Sequence, residues 1–154
     1  MIINITNITA TAAFKGCDYP AMAGIAAQDR HTARFDVDYY CDAAKSAFLY
    51  DITCDKVIKG VCVCRDMLIP DSCEVESLCI DAEYKGIGRA RKLLSNALRD
   101  MRGLKYRAAF VWVNEANESA LGFFRRFGFA DDGRRRKSRI SGDNGDELRL
   151  RIDI

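Results

Sequence analysis

Two carboxylates two residues apart, two glycines at the front of one helix and an asparagine at the front of another carry the chemistry of this sequence. Glu74 and Glu76 lie in CEVESLCI, residues 73–80, a run with polar residues at alternate places that reads as a β-strand. A spacing of two puts both carboxylates on one face of the strand. Like charges so close can raise one proton affinity toward the working range of a general base. A solvent-facing acidic pair is the plainer alternative. Gly86 and Gly88 open the next stretch, EYKGIGRARKLLSNAL, residues 83–98, which otherwise favours a helix. The first amides of a helix lack carbonyl partners and sit at the positive end of its dipole, so a phosphate can accept from them where the backbone is open. Glycine opens it. A P-loop would need G-x-x-x-x-G-K-[ST], which is absent, and a dinucleotide fingerprint would need a third glycine where Arg91 stands. A plain strand-to-helix turn is the alternative.

The elements that must hold these residues read as follows. MIINITNI begins the chain as a strand. Pro20 suits the first turn of a short helix near residues 21–28, and Asp36 can cap a second over residues 37–46. Residues 47–54 and 57–68 read as strands joined by a turn at Asp55-Lys56, and Pro70 punctuates the loop before the carboxylate strand. After the glycines, Ile87, Ala90, Leu94, Ala97, Leu98 and Met101 keep helical spacing, Leu93 widens the stripe, and Gly103 can end it. RAAFVWV is a buried strand. Asn117 can cap a last helix running to Phe127, with Gly128 just beyond. Two final strands are expected near residues 134–140 and 147–152, with turn chemistry at 141–146. The whole, residues 1–154, is expected to be a single α/β domain.

Composition sets the outer limits. The 154 residues are 49% hydrophobic and 30% charged, as in a soluble globular chain, and a net charge of +2 gives no bulk argument for nucleic acid. No apolar run approaches the ~18 residues of a membrane span, and the N-terminus lacks the basic and apolar regions of a secretory signal. Seven cysteines with a single histidine, His31, form no metal signature. They fit a reduced, cytoplasmic chain that uses cysteine as a small apolar residue, and Cys62 and Cys64 should share one strand face. The expected partners therefore exclude nucleic acid, membrane and metal. The basic run at residues 134–139 has aspartates and a glutamate close by, as expected of a solvated hairpin. Asp36, Asp38 and Asp42 beside Tyr39 and Tyr40 form a possible wall for a cationic amine, or an ordinary wet helix face.

LCIDAEYKGIGRARKLL resembles the acyl-CoA motif of the GNAT superfamily of N-acetyltransferases, [R/Q]-x-x-G-x-[G/A], with Lys85 in the first place and Gly86, Ile87, Gly88, Arg89 and Ala90 following. NEANESALGFFRRFGF resembles the family's second motif, N-x-x-A-x-x-[FL]-Y-x-x-x-G-F. Asn117, Ala120, Phe123, Gly128 and Phe129 match it, and Phe124 stands where the family has tyrosine. The resemblance implies a single-domain GNAT-like fold, a mixed, mostly antiparallel central sheet flanked by helices. It implies acetyl-CoA as cosubstrate, with amides around Ile87 to Arg91 on the pyrophosphate and the backbone of Cys79 and Ile80 alongside pantetheine. Asn117 and Phe124 would lie by the pantetheine arm, and Arg89, Arg91 and Lys92 within reach of phosphates. It also implies transfer to a primary amine, with Glu76, or else Glu74, as base and the Ile80 N–H as oxyanion donor, in a monomer or homodimer. Tyr84 and Tyr106 are substitutes, by residue type, for the missing tyrosine acid. A non-catalytic acyl-CoA sensor is the alternative.

Overall fold

The computed structural model describes residues 2–7, 18–140 and 145–154. Its elements are β1 (Ile3–Asn7), α1 (Tyr19–Ala26), α2 (Val37–Ser46), β2 (Phe48–Cys54), β3 (Val57–Asp66), β4 (Ser72–Ile80), α3 (Arg89–Gly103), β5 (Ala108–Asn114), α4 (Glu118–Phe127), β6 (Ala130–Lys137) and β7 (Asp146–Asp153). The strands form one sheet in the order β1-β2-β3-β4-β5-β7-β6. Only the β4–β5 contact is parallel. The expected mixed, mostly antiparallel sheet flanked by helices is what forms.

The local signals act as their chemistry requires. The Asp36 and Asn117 side chains accept from the N–H groups of Tyr39 and Ala120, so each caps its helix. Asp18 does the same for Ala21 and starts α1 two residues earlier than the sequence implies. Gly128 ends α4 at a φ of 127°. Asp55 and Lys56 both take positive φ in the tight β2–β3 turn. The last hairpin departs most from expectation. Its first strand begins at Ala130, because Asp131 pairs with Leu150 and Arg135 with Leu148, and the residues between them form a bulge with Gly133 at a φ of 85°. Asp132 and Gly133 thus form an irregularity inside an edge strand. Residues 141–144 of the expected turn lie outside the described residues, as do Met1, Ile8, Thr9 and Cys17.

Two cores flank the sheet. On one face α3 and α4 pack Leu93, Leu94, Leu98 and Phe124 against Cys62, Cys64, Cys73 and Val75. Cys62 and Cys64 thus share a face, as their spacing predicts. On the other, α1 and α2 pack Met22, Tyr40 and Ala43 onto Leu49, Val61, Val63 and Cys79. The described cysteines are all free thiols. Among the described residues no helix is long and apolar enough to cross a membrane.

Asp51, between the two inward residues Tyr50 and Ile52, is only 8% exposed. Burial pushes its carboxyl up to about 6, against the pull of hydrogen bonds from Thr6. The folded chain therefore holds this proton until about pH 6, whereas an unfolded aspartate loses it near 3.9. Between these limits the native state binds more protons than the unfolded state, so the contribution is complete at low pH and is lost as pH rises. Relative to Asp51→Asn, the native protein should lose roughly 2–3 kcal/mol of stability between about pH 3.5 and 7. Urea unfolding of both proteins across that range measures it; a pH-independent difference would contradict the assignment.

Candidate active site

Strands β4 and β5 pair only at Ser72–Ala108, Cys73–Ala109 and Glu74–Phe110, and then part. The cause lies on the other edge of β4. Val63 pairs with Ser77 and Cys64 with Val75, so Glu76 is an extra residue, a bulge that bends the strand. The bulge also shifts the side-chain alternation: Val75 faces the α3–α4 core, while Glu76 bonds to Tyr39 of α2 and Ser77 to Tyr40 of the same helix. A cleft of about 600 Å³ opens where the strands separate, lined by β4, β5, the α1–α2 loop and the starts of α3 and α4.

The exposed β4 edge has a defined polarity. The Asp81 N–H donates to the Lys59 carbonyl at 2.8 Å. By the alternation of an antiparallel ladder, the facing pair Gly60–Ile80 is then a non-bonded one, and the N–H and carbonyl of Ile80 point away from β3 into the gap. Leu78 points the same way. The backbone of Cys79 turns instead toward Val61, so Ile80 and Leu78, rather than Cys79 and Ile80, present the open edge. The Cys79 side chain meets Ser77 Oγ at 3.5 Å and Tyr40 Oη at 3.8 Å, and burial pushes its thiol up, which makes it a poor nucleophile.

At the end of this edge Asp81 caps a short turn, and Gly86 and Gly88 follow with φ of 81° and 79°. A Cβ on either glycine would meet nothing within 4 Å. The glycines therefore answer a backbone need, and the space beside them is open. The helix begins there without a side-chain cap, its first turn closed by the Lys92 N–H on the Gly88 carbonyl at 3.0 Å. Lys85, Gly86, Gly88, Arg89, Ala90 and Arg91 line the cleft, together with Cys79, Ile80, Asn117 and Phe124. Ile87 is not in the lining and is 61% exposed. Arg89 is buried, with its guanidinium 4.6 Å from the Tyr84 ring centre, so it braces the turn rather than extending into solvent.

Of the two carboxylates, Glu76 lines the cleft and Glu74 does not. The Arg65 guanidinium grips Glu76 through Nε to Oε2 at 2.9 Å and Nη2 to Oε1 at 3.3 Å, and the Tyr39 hydroxyl donates to Oε1 at 2.7 Å. Glu74 sits at the last β4–β5 pair. Burial, reinforced by the charge of Glu76, pushes its carboxyl up, while Arg136 and Arg139 oppose the rise. The expected like-charge effect is present, but on Glu74. Phe124 packs edge-on against Phe123 and Phe129 and has no proton to give. Tyr106 donates to Asp66 at the opposite end of the sheet, and Tyr84 lies under Lys59 and Arg89, so neither takes the place of a cleft-side hydroxyl.

Several cleft residues escaped the sequence reading. Trp112, Asn114 and Glu147 form its β5–β7 wall, and Asp29, His31 and Phe35 the wall of the α1–α2 loop. The acidic and aromatic residues of α2 do not line it: Tyr40 is buried, and the Tyr39 hydroxyl is committed to Glu76. Two residues of the basic run are paired with acids, Arg135 with Glu115 and Asp146 and Arg136 with Glu147. Among the described residues no group of three or more side chains is placed to hold a metal ion.

Residues 13–129 match the family model of the acetyltransferase (GNAT) family. The ribosomal-protein-S18-alanine N-acetyltransferase of Escherichia coli superposes with a TM-score of 0.80 at 15% identity, over 99% of this chain and 94% of that one. A GNAT family acetyltransferase of Elizabethkingia anophelis, solved with acetyl-CoA bound, gives 0.78 at 15% identity over 99% and 98%. The PaiA N-acetyltransferase of Thermoplasma acidophilum, in complex with coenzyme A, gives 0.70 at 13% identity over the whole of both chains. No curated protein sequence matches the chain.

The left-handed turn makes a separable prediction. Gly88→Ala forces a side chain into φ 79° and should destabilise the fold by about 1–2 kcal/mol. Gly24→Ala, inside α1 with equally open surroundings, should be neutral or stabilising by up to about 1 kcal/mol. Denaturant unfolding compares them, and equal effects would remove the special status of Gly88.

Proposed function

The chain belongs to the acetyltransferase (GNAT) family, and we propose that it moves an acetyl group from acetyl-CoA to a primary amine, of a small molecule or a peptide, with Glu76 as general base. The observation that carries this reading is the continuity of the open β4 edge with the glycine-opened start of α3, with Glu76 in the same cleft.

The residues fit the cosubstrate. The uncrowded space beside Gly86 and Gly88 admits a pyrophosphate to the first amides of α3, where the dipole favours negative charge. Leu78 and Ile80 offer backbone groups to an extended amide-bearing arm, as an edge strand does to a peptide. Asn117 spends one acceptor position of its side-chain oxygen on the Ala120 N–H, and its amide N–H groups are the donors it offers to that arm.

Acetyl-CoA, when bound, supplies the acyl group as a thioester. A lysine-like amine, with a pKa near 10.4, reaches the cleft mostly charged and must lose a proton. Glu76 accepts it, directly or through water. The amine nitrogen then bonds to the acyl carbon and gives up its second proton to solvent while the carbon–sulfur bond breaks, and the Ile80 N–H stabilises the charge that builds on the carbonyl oxygen. Solvent protonates the departing thiolate, since Phe124 cannot. The acceptor is bounded by Glu76, Trp112, Glu147 and the α1–α2 loop.

The absence of an acid at Phe124 favours a second reading, a CoA-binding module without turnover. The two separate by experiment. Acetyl-CoA at a hundredfold its dissociation constant should stabilise the protein by about 2.7 kcal/mol in thermal unfolding. Incubation with an amine and peptide panel should give acetylated product by mass spectrometry. Glu76→Gln should lower kcat/KM by about 10²–10⁴-fold while keeping that thermal shift. A missing shift at saturation would sink both readings. A shift with no product on any acceptor would leave the binding module.

A further inference from the structure

Two side chains outside the cleft wall hold Glu76 from behind. Arg65, on β3, donates from Nε to Oε2 and from Nη2 to Oε1. Its remaining nitrogen, Nη1, donates to Ser46 Oγ at 3.1 Å, and Ser46 in turn donates to Asp42. Tyr39, on α2, adds its hydroxyl to Oε1. The tyrosine is itself fixed. Its ring centre lies 4.5 Å from that of Phe35, a cleft residue, and burial and the Glu76 charge push its hydroxyl up, so it stays a donor across the working range.

The donor count then distinguishes the two carboxylate oxygens. An ionised carboxylate has about four acceptor positions, two on each oxygen. Oε1 uses both, on Tyr39 and Arg65. Oε2 uses one, on Arg65. We propose that Tyr39 and Arg65 are positioning residues for acyl transfer, which saturate Oε1 and hold Glu76 so that Oε2 is the atom that receives the proton of the acceptor amine. The proposal rests on Glu76 being the base. The charged and titratable groups around that carboxylate are Arg65 from β3, Tyr39 and Asp42 from α2, and Glu74 from its own strand; Asp42 acts through Arg65, 3.9 Å away.

Tyr39→Phe keeps the ring and its contact with Phe35 but removes one donor; Arg65→Gln removes the charge and the fork, and Arg65→Lys keeps the charge alone. Arg65→Lys should retain more activity than Arg65→Gln, because it keeps the charge behind the carboxylate. Tyr39→Phe and Arg65→Gln should lower kcat by about 10–100-fold, the scale of a misplaced catalytic group, with KM for acetyl-CoA unchanged. In a Glu76→Gln background, Tyr39→Phe should add nothing further to the loss. If Glu76→Gln is inactive while Tyr39→Phe and Arg65→Gln keep the native kcat, the positioning role is wrong and the base stands. If Glu76→Gln is fully active, the base reading fails and the positioning role with it. Should Arg65→Gln not fold, Tyr39→Phe decides alone, because it removes only a hydroxyl.

Discussion

The parting of β4 from β5 is the constraint on which the rest of this structure depends. A sheet interior normally pairs every backbone N–H and carbonyl, and an orphaned one costs about as much as a lost hydrogen bond. Here a central strand gives up a neighbour after Glu74 and leaves the Ile80 and Leu78 groups facing a gap. Such an edge in mid-sheet needs water or a ligand to complete it, and a ligand with amides along an extended arm completes it best. The bulge at Glu76 produces the separation, and the same residue becomes the only β4 carboxylate to reach the cleft. One extra residue thus opens the binding slot and delivers a proton acceptor to its wall.

The surroundings are built to keep that opening from closing or spreading. On the β3 side, Gly60 leaves no room for a side chain: a Cβ there would come within 2.5 Å of Ile80 Cδ1 and 3.0 Å of the Cys79 carbonyl. Close approach at Gly60 presses β3 against the last residues of β4 while the other edge stays free. Beyond the gap, β5 is tied to β7 along its full length, from Ala108–Asp153 to Asn114–Glu147. The open half of the sheet carries Arg136 over Trp112 and Arg149 over Phe110, so paired guanidinium groups cover aromatic rings there. The slot is held between two firm half-sheets rather than across one weak seam.

What could be read from residues alone was whatever depends on a short stretch of chain. The helix stripe from Ala90 to Met101, the caps at Asp36 and Asn117, and the need for glycine at residues 86 and 88 are local and form as expected, whereas Ile87, read as the start of the stripe, lies exposed before the helix. The strand carboxylates were legible as a pair, since a spacing of two keeps Glu74 and Glu76 on one side. Their division of labour was not. It follows from the bulge, which a run of alternating residues does not announce, and from Arg65, which lies 11 residues away and meets Glu76 only through the β3–β4 register. Trp112 and Glu147 were hidden for the same reason: each becomes a wall only when β5, β6 and β7 are ordered in the sheet. The acidic face of α2 left two readings open, because composition cannot show that the Tyr39 hydroxyl is already used.

Phe124 has a physical place in this scheme. Its ring fills the aromatic cluster with Phe123 and Phe129, and a side chain without a donor leaves that end of the cleft apolar. The two ends of an acyl transfer to an amine have unequal demands. A thiolate with a pKa near 8.5 is a fair leaving group near neutral pH, whereas an ammonium with a pKa near 10.4 is not a nucleophile until its proton is taken. The need for assistance is therefore concentrated at the amine end. On the proposed assignment of Glu76 as base, the charged network lies at that end too: Arg65, Tyr39, Ser46 and Asp42 converge behind Glu76. With Glu76 as the proposed base, this arrangement suits a reaction whose barrier lies in deprotonation and attack, with expulsion of the thiol left to solvent.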